Sequence, residues 1–265
     1  MGGGEYRFMI GVPHVGGLPG YWVDSLEGME KPKEGYWFQR AEGQPVDMAR
    51  NNLVAGGLAA GCDWLLQIDA DMMWSRLALQ RLWETAEATG ADMVGALTFT
   101  RYMPPVPCVF RGVTRRIEGR DYLRIQAEET REWLKAHEEA QGPGPFVLDP
   151  APADAVVEAD ATGGAFLLVH RRVFEAMERR YGARLGRRRR ARRETELFGG
   201  PWFRRDAMKK GEDFQFFARA RALGFRLVID RSVCVRHMHG SSGGVGPEEF
   251  LAWQEVRPFE GWVDT

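Results

Sequence analysis

Two carboxylates, Asp69 and Asp71, directly follow an apolar run at residues 64–68. The run is too short for a helix and predicts a buried strand of a parallel sheet, whose carboxyl end presents both acids. Ligands of open α/β sheets bind outside that end. The two acids repel each other unless a cation lies between them, and Mg²⁺ and Mn²⁺ prefer carboxylate and phosphate oxygens. The pattern predicts a metal-nucleotide site, and two solvated acids at a turn are the alternative.

A second acidic pair, Glu212 and Asp213, lies in the first turn of a helix predicted for residues 209–223. The helix dipole alone favours carboxylates there, so the pair has a structural explanation as well as a catalytic one. Two later strands are predicted, at residues 225–229 and 232–238, and the second places His237 and His239 on one face. Two histidines near a predicted metal favour a ligand role over a purely structural one.

Paired glycines, Gly163 and Gly164, interrupt a strand pattern that spans residues 156–169. Glycines inside a strand indicate a bulge or a close approach of the backbone to a ligand, and a simple turn is the alternative. The first strand, residues 6–12, is predicted to stop at Pro13. The glycine-containing loop after it suits an approach to a ligand.

Alternating strands and helices must position these residues. The helix predicted for residues 47–60 lies between a proline and a glycine, the usual boundary residues, and contains Arg50 and Asn51. A helix predicted for residues 75–89 and a strand predicted for residues 92–97 repeat the alternation. Such alternation is typical of an α/β fold with a parallel sheet.

The composition fits one globular domain. The 265 residues are 44% hydrophobic, and 36 basic residues nearly balance 37 acidic residues to give a formal net charge of -1. A strongly charged partner must therefore bind to a local patch. The three cysteines have no disulfide-framework or zinc-motif spacing. Because the sequence contains neither a signal-peptide pattern nor an apolar run of membrane-spanning length, we expect a cytoplasmic protein.

The strongest local patch of charge is a run of seven arginines within residues 184–193. Such a run indicates a solvated loop. Guanidinium groups also bind phosphate, so the run fits a nucleic-acid-binding module or an anionic acceptor equally well. Trp202 and Phe203 follow the run, and they either form a wall against a bound ring or fill the core.

Four features in this order resemble the motifs of GT-A glycosyltransferases, particularly the family 2-like enzymes of bacteria and phages. They are Arg50-Asn51 before Asp69-Ala70-Asp71, then Thr162-Gly163-Gly164-Ala165, then Gly211-Glu212-Asp213, and finally His237 or His239. The resemblance implies a Rossmann-like nucleotide-diphospho-sugar transferase fold, in which helices flank a central, mostly parallel mixed sheet. It also implies one domain over residues 1–265, divided into a nucleotide-binding half (1–100), an acceptor-binding half (101–245) and a C-terminal tail (246–265).

The resemblance further implies a nucleotide-sugar donor, for which a UDP-sugar is favoured. Donor contacts are implied for Pro13, Arg50, Asn51, Asp69, Gly163 and Gly164. The first strand, the turn after it and the start of the Arg50 helix would hold the nucleoside. The paired glycines would let the backbone approach the donor sugar or the acceptor without a Cβ in the way.

The implied cofactor is Mn²⁺ or Mg²⁺, bound directly by Asp71, with Asp69 near the ribose or in the water shell of the metal. His237, preferred over His239, would complete the coordination. Such a cation assists the departure of the nucleoside diphosphate. Asp213 would be the general base that takes the proton from the acceptor hydroxyl, and Glu212 would position the acceptor or tune the base.

Three other functions share parts of the pattern. A nucleotidyltransferase on a related sheet normally has a basic, glycine-rich loop after the first strand, and Gly16-Gly17 has no adjacent basic residue. A haloacid-dehalogenase-type phosphatase has Thr or Val where this chain has Met72. A nucleic-acid-binding module built on residues 184–193 leaves the acids unexplained. The favoured interpretation is a hexosyltransferase-type enzyme whose acceptor hydroxyl belongs to a hydroxylated base in phage DNA, a glycan or a lipid headgroup.

Overall fold

Helices pack on both faces of a mixed central sheet in the structure of this chain, which is a computed structural model. The structure describes residues 7–33, 35–117, 120–141, 144–182, 202–204, 211–239, 243–256 and 262–264. The predicted arginine loop at residues 184–193 lies outside these ranges.

Short strands outnumber helices along the described chain. The strands are β1 (Phe8–His14), β2 (Tyr36–Glu42), β3 (Trp64–Ile68), β4 (Met72–Met73), β5 (Met93–Leu97), β6 (Val109–Ile117), β7 (Arg120–Ile125), β8 (Phe146–Val147), β9 (Val156–Ala159), β10 (Ala161–Thr162), β11 (Phe166–His170), β12 (Leu227–Cys234), β13 (Arg236–Met238), β14 (Gly244–Val245) and β15 (Trp262–Asp264). The helices are α1 (Gly20–Gly28), α2 (Val46–Ala59), α3 (Ala78–Thr89), α4 (Ala127–Ala136), α5 (Arg171–Met177), α6 (Glu212–Arg221) and α7 (Pro247–Val256). None of these described helices has the length and apolar character needed to cross a membrane.

The central sheet brings four strand ends to one edge. Among the described residues it has eight strands, in the order β2-β1-β3-β11-β5-β12-β8 with β9 also paired to β12. Strands β2, β1, β3, β5 and β12 run in one direction, and β11, β8 and β9 run against them. The expected mostly parallel mixed sheet is confirmed in this form. The carboxyl ends of β1, β3, β5 and β12 therefore meet at the same edge.

Strand β3 is buried on both faces, which explains its continuous apolar sequence. Leu65 belongs to the apolar cluster that also contains Leu53 of α2. Leu66 belongs to the cluster on the other face, together with Leu82 of α3. Helix α2 ends as predicted, since Gly61 follows it with φ 78° and adopts the left-handed conformation that stops a helix.

Strand β1 continues through Pro13 to His14, so the predicted stop at Pro13 is wrong. Its pairing with β3 ends at Gly11↔Gln67, whereas its pairing with β2 extends to His14↔Glu42. A proline lacks an N–H group to donate, and a strand with a partner on one side only tolerates that loss. The turn therefore begins at Val15, and Pro13 lies at the edge of the sheet.

Strand β12 is continuous where two strands, residues 225–229 and 232–238, were predicted. The interruption in the apolar pattern is Asp230, which is fully buried and accepts hydrogen bonds from Thr85 Oγ1 at 2.5 Å and from the Ser232 N–H at 2.9 Å. The register shifts at this point, so the polar residues mark a bulge and not a turn.

The paired glycines lie where the chain crosses between two sheets. Strand β9 pairs in the central sheet, β10 pairs with β6 in a second sheet of order β10-β6-β7-β15, and β11 returns to the central sheet. The expected interruption of the strand pattern by the paired glycines is present, between β10 and β11. Since β11 runs antiparallel to β3, the segment before it lies at the edge where β3 ends.

A third sheet, of order β14-β13-β4, sets the position of Asp71. In it His237 is paired with Met72, and the Met238 N–H donates to the Asp71 carbonyl at 2.7 Å. Asp71 and His237, far apart in sequence, are thereby fixed next to each other. His239 lies just beyond β13 and is exposed.

Candidate functional site

A cleft of about 1160 Å³ opens at the carboxyl edge of the central sheet. The ends of β1, β3 and β5, the start of α6 and strand β13 form its wall. The predicted site residues that line it are Pro13, Arg50, Asp69, Asp71, Glu212, Asp213 and His237. A smaller cavity of about 200 Å³, beside Phe8 and Trp83, contains none of these residues.

The guanidinium of Arg50 is the centre of the site and is buried, with 2% of the residue exposed. Its Nη2 donates to Asp69 Oδ1 at 2.7 Å, and its Nη1 donates to the Gly164 carbonyl at 2.7 Å. Its Nε lies 3.4 Å from Glu212 Oε1. Burial disfavours the charged guanidinium, but the charges of Asp69, Glu212 and Asp213 outweigh burial and raise the pKa of Arg50. Arg50 therefore stays charged and joins α2, β3 and α6.

The carboxyl of Asp69 is poorly neutralised despite its contact with Arg50. Burial raises the pKa of Asp69 to about 6, because the charge of Arg50 opposes burial only in part and the charges of Asp71 and Glu212 add to the rise. A single guanidinium cannot balance all the carboxylates near it. The cleft therefore favours the binding of a further cation, either a proton or a metal ion.

Asp71 and His237 form a direct pair across the cleft. His237 Nε2 lies 3.0 Å from Asp71 Oδ2, and His237 Nδ1 lies 3.0 Å from the Phe99 carbonyl oxygen. For Asp71, burial opposes ionisation, but the hydrogen bond and charge of His237 outweigh burial and lower the pKa. For His237, burial opposes protonation, but the hydrogen bond and charge of Asp71 outweigh burial and raise the pKa.

This pair fits a divalent cation. A carbonyl oxygen only accepts hydrogen bonds, so His237 Nδ1 must hold a proton and donate it to Phe99. The Nε2 lone pair then faces a carboxylate oxygen, an arrangement that needs either a second proton or a metal ion between the two atoms. Within the described residues, no group of three or more His, Cys, Asp or Glu side chains could hold a metal ion. A cation at this pair would therefore need oxygen ligands from the substrate or water, as Mg²⁺ commonly does.

Helix α6 begins with Glu212 and Asp213, and both side chains line the cleft but differ in burial. Glu212 is buried against Arg50, whereas Asp213 is only partly buried and faces the cleft. Asp213 Oδ1 accepts a hydrogen bond from the Phe214 N–H at 2.8 Å, and a Cβ on Gly211 would lie only 2.5 Å from that oxygen. Burial and the charge of Glu212 raise the pKa of Asp213, although Arg50 opposes the rise. A partly buried carboxylate with a raised pKa is suited to accept a proton.

The two glycines at the sheet crossing differ in what they approach. A Cβ on Gly164 would lie 2.9 Å from the guanidinium of Arg50, so a larger residue at this position would displace the guanidinium from its partners. A Cβ on Gly163 would meet Cys108 Sγ at 3.5 Å, an ordinary contact. The close approach indicated by the sequence is thus to Arg50, and neither glycine is among the residues that line the cleft.

Asn51 is turned away from the cleft and binds another part of the chain. Its Oδ1 accepts from the Phe203 N–H at 3.0 Å, and its Nδ2 donates to the Phe203 carbonyl at 2.7 Å. Asn51 and Phe203 are both buried, as is Trp202. Phe203 stacks on Phe216 of α6, with ring centroids 4.6 Å apart. These two aromatic residues fill the core and do not form a wall of the cleft.

Tyr21, Arg101 and Tyr102 are among the residues of the cleft that were not identified from the sequence as site residues. Arg101 Nη1 lies 3.6 Å from Asp71 Oδ2, and Arg101 Nη2 donates to the Tyr102 hydroxyl at 3.0 Å. The available signal was their position, since Arg101 and Tyr102 follow β5 and the carboxyl end of β5 reaches the same edge as that of β3. The predicted ligand His239 is not among the residues that line the cleft.

Comparison with known proteins supports the fold and leaves the chemistry open. No protein-family model matches the sequence, and no curated protein matches it. The chain resembles the solved structure of A197 from STIV with a TM-score of 0.52 and 15% sequence identity, over 92% of this chain and 91% of A197. It aligns with TarS from S. aureus at a TM-score of 0.43 and 11% identity, over 94% of this chain and 38% of TarS. The likeness to A197 shows a shared fold, and the flanked, mostly parallel sheet is consistent with a GT-A-like fold.

Replacing Asn51 tests whether this residue is structural. In Asn51→Ala the buried N–H and carbonyl groups of Phe203 lose their partners, and we expect the free energy of unfolding to fall by about 3 kcal/mol. The matched control is Asn52→Ala on the same helix, whose partly buried side chain bonds, within the described part of the chain, only the Gln44 side chain, at 2.6 Å. Urea titrations of both variants measure the difference. Equal losses of stability in the two variants would contradict a special role for Asn51.

The raised pKa of Asp69 predicts a pH-dependent difference between the wild type and Asp69→Asn. The folded state holds the Asp69 proton more tightly than the unfolded state, so this contribution to stability is complete below the unfolded pKa and is lost as pH rises through about 6. From about pH 4 to about pH 7 the wild type should therefore lose about 2 to 3 kcal/mol that the variant does not lose. Urea titrations across this range, with a chelator present, measure it. Parallel stability curves would show that burial does not perturb Asp69.

Proposed function

We propose that this protein is a metal-dependent glycosyltransferase that moves a sugar from a nucleotide-diphosphate donor to an acceptor hydroxyl. The supporting observation is the pairing of Asp71 with His237 at 3.0 Å in the cleft that Asp213 also lines. A cation-binding pair and a separate carboxylate base facing the same hollow are what this reaction needs. The GT-A-like arrangement of the sheet adds support at the level of the fold.

Asp71 and His237 would hold Mn²⁺ or Mg²⁺, with Asp69 close by. When bound, such a cation supplies Lewis-acid stabilisation of the negative charge on the departing nucleoside diphosphate. Asp69 itself is held by Arg50, so it would act through hydrogen bonds to the ribose or to metal-bound water. Pro13 and the end of β1 would form the nucleoside side of the cleft, and residues 1–100 would bind the donor.

Asp213 would be the general base. The acceptor oxygen forms a bond to the anomeric carbon, the bond from that carbon to the diphosphate oxygen breaks, and the electron pair leaves with the nucleoside diphosphate. The hydroxyl proton passes to the Asp213 carboxylate, whose raised pKa suits this transfer. Direct displacement of this kind inverts the anomeric configuration. Glu212, in contact with Arg50, would tune the base.

The favoured donor is a UDP-sugar, and the acceptor would come from the side formed by residues 101–245. An anionic acceptor, such as a hydroxylated base in phage DNA, or a glycan or lipid headgroup, fits the arginine run at residues 184–193, which lies outside the described residues. A nucleotidyltransferase is the alternative enzyme. The released product separates the two, because a glycosyltransferase releases a nucleoside diphosphate and a nucleotidyltransferase releases pyrophosphate.

Donor binding should depend on the cation and on Asp71. With Mn²⁺, one member of a nucleotide-sugar panel should raise the unfolding temperature by about 5 °C at saturating concentration. Asp71→Ala and His237→Ala should lose this rise. Asp63→Ala, an exposed acid just before the amino end of the same strand β3, should keep it. Differential scanning fluorimetry gives the measurement. A rise that persists in Asp71→Ala would exclude the proposed metal site.

Replacing Asp213 should reduce the rate of catalysis and leave donor binding intact. In Asp213→Asn we expect the release of nucleoside diphosphate to fall about 100-fold or more, since the variant cannot accept a proton. The Mn²⁺-dependent rise in unfolding temperature should remain. Product release measured with water, duplex DNA or a glycan as acceptor tests the acceptor classes in the same assay. Full activity of Asp213→Asn would remove this residue from the mechanism.

A further inference from the structure

Arg101 is the cationic side chain of the cleft that a bound anion can reach. The other basic side chains among the described lining residues are Arg50, His237 and His14. Arg50 and His237 are already engaged, and His14 is buried, with 7% of the residue exposed. Arg50 is buried with contacts to Asp69, Gly164 and Glu212, and both ring nitrogens of His237 have partners. By contrast, the side chain of Arg101 is 49% exposed.

The contacts of Arg101 leave most of its donors available. Its Nη1 lies 3.6 Å from Asp71 Oδ2, which is longer than a hydrogen bond, and its Nη2 donates to the Tyr102 hydroxyl. The guanidinium also lies over the Tyr102 ring, 5.1 Å from its centroid, so its orientation in the cleft is restrained. A guanidinium has five N–H donors in a planar fork that matches phosphate oxygens.

The order of the strands places Arg101 at one end of the proposed donor. Along the sheet, β1 with Pro13 comes first, β3 follows with Asp71 in the segment after its carboxyl end, and β5 lies two positions further on, beyond β11, with Arg101 in the segment after its carboxyl end. A donor with its nucleoside beside β1 and its diphosphate beside Asp71 therefore presents its second phosphate, and not its nucleoside, to Arg101. A cation on Asp71 would also repel Arg101 from that carboxylate and leave the guanidinium free for phosphate.

We propose, on the basis of the proposed function, that Arg101 binds the second phosphate of the nucleoside diphosphate and makes the site selective for diphosphates over monophosphates. The cation neutralises only part of the diphosphate charge, and the carboxylates of the cleft add further negative charge. Arg101 supplies the positive charge and the bidentate hydrogen bonds that the second phosphate requires. Tyr102 positions the guanidinium for this contact.

Calorimetric titrations of Arg101→Gln test this assignment. The probes are Mn²⁺ alone and then, with Mn²⁺ present, the diphosphates and monophosphates of uridine, guanosine, cytidine and adenosine. We expect the best-bound diphosphate to lose about 10- to 100-fold in affinity, the range of a charge-assisted contact, and the matching monophosphate to change by less than about 3-fold. The affinity of Arg101→Lys for the diphosphate should lie between those of the wild type and Arg101→Gln, because an ammonium cannot bind two phosphate oxygens in the same plane.

The control is Arg40→Gln, an exposed arginine on β2 that does not line the cleft and should bind every probe like the wild type. If Arg101 only neutralises Asp71, then Arg101→Gln will bind Mn²⁺ more tightly and keep the full preference for diphosphate, which overturns this inference alone. Equal losses for diphosphate and monophosphate overturn it as well. If the wild type binds no nucleoside diphosphate with Mn²⁺, the proposed function itself fails.

Discussion

The architecture of the cleft depends on the buried guanidinium of Arg50. A buried positive charge is tolerable only with partners that replace its hydration, and Arg50 finds Asp69, Glu212 and the Gly164 carbonyl. These partners come from β3, the start of α6 and the segment before β11, so one side chain of α2 fixes three other parts of the chain. The same arrangement leaves excess negative charge in the cleft, since one guanidinium cannot balance all the nearby carboxylates. The contacts that hold these parts of the chain together and the excess negative charge of the cleft thus have a common origin.

The pairing of β4 with β13 decides the second half of the site. Two residues of β4 and three of β13 are enough to bring the Asp71 carboxylate and the His237 imidazole to 3.0 Å. The Phe99 carbonyl then fixes which ring nitrogen of His237 donates. On the same side, Arg101 lies close to Asp71 without a direct hydrogen bond to it. The cleft therefore contains the Asp71–His237 pair, the half-exposed guanidinium of Arg101 and the Asp213 carboxylate as separate features.

Three sequence-based predictions differ from the structure because a proline or a polar residue has neighbours that the local sequence does not reveal. Pro13 indicated the end of a strand, but β1 has no β3 partner at that height and needs no N–H there. Asp230 indicated a turn, but Thr85 and Ser232 satisfy the buried carboxylate within a bulge of β12. Asn51, grouped with Arg50 by the resemblance, binds the Phe203 backbone. In each case the missing information was which distant residues, if any, lie beside the residue concerned.

The α/β alternation, the strand before Asp69, the helix that contains Arg50 and the helix that contains Glu212 and Asp213 were predictable from the sequence, because they follow from local periodicity and boundary residues. The sequence also identified Asp69, Asp71, Asp213 and His237, which line the cleft. The three-dimensional fold was needed to show that His237 and not His239 pairs with Asp71, that Gly164 approaches Arg50, and that Arg101 reaches the same cleft. The physical reason is that these contacts join residues up to 166 positions apart. Their geometry depends on strand order and register, which the local pattern of side chains does not specify.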